Sequence, residues 1–140
     1  MATIMVDTDV YSYLTSSNPR RAIPYKPHLD GHEIVLSFIT IGEQYAGYIK
    51  AISGKRWPAT RLGKLEAELK LVAIVPYDAE VCKTYGDIKA TMERAGHTIA
   101  ANDLWIAACA RRHSLTLVTN NRKHFDAIPG LSIISEAPGK

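Results

Sequence analysis

Residues 4–14 read IMVDTDVYSYL, an apolar run from Ile4 to Val6 that stops against two carboxylates, Asp7 and Asp9. A short, continuously apolar run is what a strand covered on both faces looks like. A carboxylate at the end of such a strand costs several kcal/mol unless a proton, a partner or a cation compensates. The stretch therefore predicts a buried strand and raises the question of what its acids face.

Working outward, four further apolar runs read as covered strands: residues 34–36, 72–75, 115–118 and 132–134. Helical stripes lie between them. Val81, Tyr85, Ile88 and Met92 step by four, three and four, up to a stop at Gly96. Leu62, Leu65 and Leu69 follow Pro58 as a first-turn proline, and Ile41, Tyr45, Tyr48, Ile49 and Ile52 form a helix beginning near Thr40. Leu104, Ala107, Ala108 and Arg111 form another, opened by Asn102 or Asp103. Residues 18–31 are the least regular stretch, a loop with a short helix. Strands alternating with helices predict an α/β fold: a three-layer sandwich around a five-stranded, mostly parallel sheet.

The 140-residue length fits one domain over 1–140, and 46% hydrophobic with 22% charged residues is ordinary for a globular chain. No apolar run reaches the ~18 residues that span a bilayer, and the N-terminus lacks a secretory pattern, so a cytoplasmic location without membrane association is expected. Cys82 and Cys109 form no Cys-x-x-Cys pair and read as reduced packing thiols. A net charge of +3 is compatible with a polyanionic partner without requiring one. His28, His32, His97 and His113 show no metal-ligand spacing, and Trp57, next to Pro58, reads as edge-of-core packing or a partner anchor.

Parallel sheets gather ligands outside the carboxyl ends of their strands. Asp7 follows the first strand, Glu43 lies inside the helix after the second, and Asp103 opens the helix that feeds LTLVT. That strand ends in TNNRKHF, with Thr119, Asn120, Asn121 and His124. Carboxylates from the ends of several elements suit a hard divalent cation such as Mg²⁺ or Mn²⁺, whose retained water can attack a phosphodiester. Structural alternatives stand beside this. Thr40-x-x-Glu43 fits a capping box, Asp103 fits a dipole-favoured first turn, and Asp9 fits a cap of VYSYL.

The set of segments resembles the PIN-domain nucleases, particularly the VapC toxins of type II toxin–antitoxin operons. MVDTDVYSYL is similar to that family's opening segment, LSFITIGEQYAG to its Ser-x-x-Thr-x-x-Glu helix start, and AANDLWIAACARRHSLTLVTNNRKHFDAIPGL to its long C-terminal part. The resemblance implies a metal-dependent endoribonuclease that cuts structured RNA such as tRNA or rRNA and inhibits translation. It implies Mg²⁺ or Mn²⁺ at Asp7, Glu43 and Asp103, a VapB-like antitoxin as partner, and a homodimer. Asp9, Thr119, Asn121 and His124 would support the site. Asp9 stands where the family commonly has Asn, and Asn121 and His124 occupy the region of a fourth acid. Two alternatives remain at this point. One is a haloacid-dehalogenase-like phosphatase using Asp7 and Asp9, although its late acid is needed at a strand end and Gly86-Asp87 sits mid-helix, where it cannot serve. The other is a PIN-like module that binds RNA or protein without cutting.

Overall fold

The computed structural model describes residues 2–137. Its sheet has the order β3-β2-β1-β4-β5, with strands β1 (Ala2–Val6), β2 (His32–Ser37), β3 (Ala73–Val75), β4 (Leu117–Val118) and β5 (Ile133–Ile134). Every pairing is parallel; Ile4 lies opposite Ile34, Met5 opposite Leu117, Leu36 opposite Ile74 and Val118 opposite Ile134. The five apolar runs of the sequence are these five strands.

Successive strand residues feed opposite cores, as a period of two requires. Met5, Val35 and Leu117 join the core built with Val81, Ile88, Met92, Leu104 and Ala108. These belong to α5 (Ala79–Arg94) and α6 (Ala101–Arg112), joined on that face by α7 (Arg122–Phe125). Ile4, Val6, Leu36 and Val118 join the opposite core with Val10, Tyr11, Tyr25, Leu65 and Leu69. Those come from α1 (Thr8–Thr15), the segment around α2 (Lys26–Leu29) and α4 (Arg61–Leu69). Helix α3 (Phe38–Ser53) serves both cores, through Phe38 and Ile39 on one side and Ile41, Tyr45 and Tyr48 on the other. The three-layer sandwich is thus present as expected, its irregular 18–31 segment holding a 3₁₀ turn at Pro19–Arg21 and the short α2.

Helix starts differ from the sequence reading, and the caps explain why. Helix α3 begins at Phe38 because the Ser37 hydroxyl accepts from the Ile39 amide, so Thr40 lies inside the helix rather than at its start. Asp7, not Asp9, caps α1, accepting from the Val10 amide at 2.9 Å. Pro58 precedes α4, which starts at Arg61, and α6 starts at Ala101 behind an Ala100 that offers no side-chain cap.

The order 3-2-1-4-5 places the reversal of winding between β1 and β4. A crevice opens there at the carboxyl ends, because the connections leave the two strands toward opposite faces. Asp7 follows the last residue of β1, and Thr119 follows the last residue of β4.

Candidate active site

The crevice is lined by Asp7, Thr8, Asp9, Glu43, Asn102, Asp103, Ile106, Asn121 and His124, around an open volume of about 180 Å³. Side chains from the β1–α1 junction, α3, α6, the β4–α7 turn and α7 therefore reach one cleft. All three acids singled out in the sequence line it, together with Asp9, Asn121 and His124; Thr119 sits behind them, fully buried.

Each carboxylate is held by a neighbour from a distant part of the chain. Asp7 is 4% exposed; its Oδ1 takes the Val10 amide and its Oδ2 takes the Thr119 hydroxyl at 2.5 Å. The same Thr119 oxygen accepts from the Asn121 amide at 2.9 Å, and the Asn121 side chain donates to Asp9 at 2.6 Å. Glu43 accepts from the Thr8 hydroxyl, which also contacts the Thr40 hydroxyl at 3.1 Å, and from the Asn102 amide at 2.8 Å. The Asp103 carboxylate faces His124 Nδ1 at 2.9 Å.

This corrects the capping-box reading of Glu43. Its carboxylate reaches across to α1 and α6 instead of back to Thr40, since Ser37 already supplies the cap. Asp7, conversely, has structural partners at its strand end, the Val10 amide and the Thr119 hydroxyl. His124 stands against Asp103, while Asp126 is paired with Arg122 at 3.2 Å.

These hydrogen bonds do not neutralise the charge. Burial pushes the Asp7 carboxyl up to about 6; the Thr119 and Val10 bonds oppose the rise, and the negative charges of Asp9 and Asp103 add to it. Burial also raises Asp103, opposed by His124 and reinforced by Glu43 and Asp9. Among the described residues no Lys or Arg lines the cleft. Four acids crowded without a fixed cation form a hard, oxygen-only donor set with unmet charge, which fits a divalent cation. No three His, Cys, Asp or Glu side chains among the described residues already stand together as ligands. Each carboxylate spends lone pairs on the hydrogen bonds above, and closing on an ion would exchange some of those donors.

Sequence reasoning missed Thr8 and read Thr40 and Asn102 only as helix-start residues, although Thr8 stands between the two N-terminal acids and Asn102 immediately precedes Asp103. It also missed the bracing of the β4–α7 turn. The buried Tyr25 donates to Asn120 Oδ1 at 2.5 Å, and the Asn120 amide donates to Tyr13 at 3.2 Å. Those contacts fix the turn that carries Thr119 and Asn121.

Residues 4–131 match the PIN domain family. The chain is a PIN-domain protein. This PIN domain is 29% identical over 131 residues to ribonuclease VapC2 of Haemophilus influenzae, covering 94% of this chain and 96% of the relative. It is 27% identical over 131 residues to the tRNA(fMet)-specific endonuclease VapC of Shigella flexneri, with the same coverage. Among solved structures it superposes on a chain of the VapBC2 complex of Rickettsia felis, solved bound to a promoter DNA fragment, with a TM-score of 0.79 and 28% identity. That match covers 95% of this chain and 98% of the other. The family match sets aside the phosphatase alternative, and the PIN domain's acids are read accordingly.

Proposed function

We propose that this PIN domain is the endoribonuclease toxin of a VapBC-type toxin–antitoxin pair. The reading is carried by one observation: Asp7, Glu43 and Asp103, from three different elements, line a single uncompensated acidic cleft at the switch point of the sheet. End-to-end similarity to proteins named as VapC ribonucleases supports the reaction class.

In this reading Asp7, Glu43 and Asp103 hold a Mg²⁺ or Mn²⁺ ion. Such an ion, when bound there, would supply Lewis acidity toward phosphate oxygens and lower the pKa of water. The protein's own groups do the positioning. Thr119 fixes the Asp7 rotamer from behind, Thr8 and Asn102 orient Glu43, and His124 orients Asp103. Asn121 restrains Asp9, whose extra charge beside Asp7 raises the site's demand for a cation.

The substrate is structured RNA, tRNA or rRNA, cut in the cytoplasm, with the whole 1–140 chain acting as one PIN unit. A VapB-like antitoxin silences it. A homodimer is supported by edge strand β3 and its surroundings, where Leu71, Ile74 and Tyr77 stand 88%, 46% and 56% exposed. No helix of the described residues is long and apolar enough to cross a membrane.

The test is incubation of purified wild-type and Asp7→Asn protein with bulk bacterial RNA and Mg²⁺ or Mn²⁺, followed by mapping of the new ends. Discrete cuts by the wild type, absent with the variant and with EDTA, are expected. Wild-type protein that leaves all RNA intact with either metal would refute the reading and favour a non-cleaving module.

A further inference from the structure

An acidic cleft repels the strand it is meant to cut, so the attraction must come from cations beside it. A second, larger pocket of about 440 Å³ lies farther along α1 and α3. The two sites are joined by a polar stripe. Thr8 lines the cleft, while Ser12, four residues on along α1, and Ser16, the extended residue just past its end, line the pocket. On α3, Glu43 lines the cleft and its neighbour Gln44 lines the pocket; the Gln44 amide donates to the Ser12 hydroxyl at 3.0 Å. From Thr8, Ser12 and the end of α1 lie about 6–11 Å along the helix axis, the distance of an adjoining nucleotide.

The far wall is cationic. Arg61, the first residue of α4, lays its guanidinium over the Trp57 ring at 4.2 Å, and Trp57 is held edge-on by Tyr48 at 4.8 Å. Lys64 follows one turn later on the same face. Among the described residues neither cation has a carboxylate within salt-bridge distance. An arginine spread flat on an aromatic face loses little freedom on binding and presents its fork to an oxyanion. Ser12 and Ser16 each accept one hydrogen bond, from Gln44 and from the Asn18 amide, and keep their own protons to donate. Two cations, one of them a planar fork, and free hydroxyl donors form an oxyanion receptor, poorly suited to an apolar guest.

We propose that this pocket, with Arg61 and Lys64 as its cations, is the subsite for a backbone phosphate of the RNA strand next to the scissile bond. It deepens the ribonuclease reading and rests on it. Trp57 thus acts neither as simple packing nor as a direct anchor; it is the platform that holds Arg61 in place.

The test is salt-dependent binding of labelled bulk bacterial tRNA to Asp7→Asn protein, with and without Arg61→Gln and Lys64→Gln. Each phosphate contact contributes about 0.7–0.9 to the slope of log affinity against log salt concentration. The double variant is expected to flatten that slope by about 0.7–0.9, the value of the one phosphate held there, and Lys64→Gln alone by roughly half as much. Arg61→Lys should keep the slope, and Lys89→Gln, on the opposite face of the sheet, should leave it unchanged. A merely structural role would move melting temperature without moving the slope. An unchanged slope in a folded double variant overturns the subsite. So does a loss confined to antitoxin binding, which would make the pocket a peptide site. Failure of wild-type protein to cut any RNA, alongside a flattened slope, would sink the nuclease reading and leave the phosphate subsite standing.

Discussion

Thr119 and Asp7 lie 112 residues apart in the chain and share a 2.5 Å hydrogen bond at the point where the sheet reverses its winding. The hydroxyl lowers the cost of a buried carboxylate without removing it, since burial still pushes Asp7 up to about 6. The cleft is therefore an electrostatically strained feature of an otherwise ordinary sandwich, and several consequences can be measured.

The strain has a sign. The folded protein holds the Asp7 proton more tightly than the unfolded chain, whose carboxyl titrates near its ordinary 3.8. This contribution to stability is fully present below pH 3.8 and is lost as pH rises through about 6. Asp103, raised for the same leading reason, acts in the same direction. Urea melts in EDTA should show this loss, worth about 3 kcal/mol for Asp7 at full ionisation. Asp7→Asn, which keeps a cap acceptor for Val10, should flatten the dependence and be the more stable protein at pH 7.5. A wild-type curve that is flat from pH 4 to 7 contradicts the assigned burial cost.

Divalent metal should repay that cost. Mg²⁺ or Mn²⁺ at millimolar concentration is expected to raise the wild-type melting temperature by several degrees through mass action on the folded state. Asp7→Asn should lose most of the shift. Equal shifts in both proteins would place the metal elsewhere.

Thr119→Val removes the donor to Asp7 and the acceptor of the Asn121 amide together. A loss of about 1–3 kcal/mol is expected from the buried groups left unpaired. The pH at which stability falls should move upward, because a bond that favoured the ionised carboxylate has gone. Thr119→Ser should restore both quantities. A Val variant that melts like wild type with the same pH profile would show that Thr119 does not support Asp7.

The parts legible in the sequence were those carried by local pattern. Doubly covered strands leave continuous apolar runs, so all five were visible, and the strand-end rule led from them to Asp7. The acids of the cleft could be picked out because Asp7 follows a strand, Asp103 lies in a helix's first turn and Glu43 lies about a turn into the helix after a strand. Helix starts were less legible. Ser37 and Thr40 both suit a cap, and only the bond of the Ser37 hydroxyl to the Ile39 amide shows that the helix begins at residue 38. The braces were not legible at all. Tyr25 with Asn120, and Thr8 with Glu43, join residues 95 and 35 positions apart, and no spacing rule relates them. Trp57 was ambiguous because its role depends on Arg61 lying over the ring.

The central claim is that Asp7, Glu43 and Asp103 serve one cation. Mn²⁺ titration followed by electron paramagnetic resonance, on wild type beside Asp7→Asn, Glu43→Gln, Asp103→Asn and the outlying Asp126→Asn, tests it most directly. The expected result is one shared site whose affinity falls at least about tenfold, ~1.4 kcal/mol, in each of the first three variants and stays unchanged in the fourth. Wild-type affinity retained in any one of those three would contradict it.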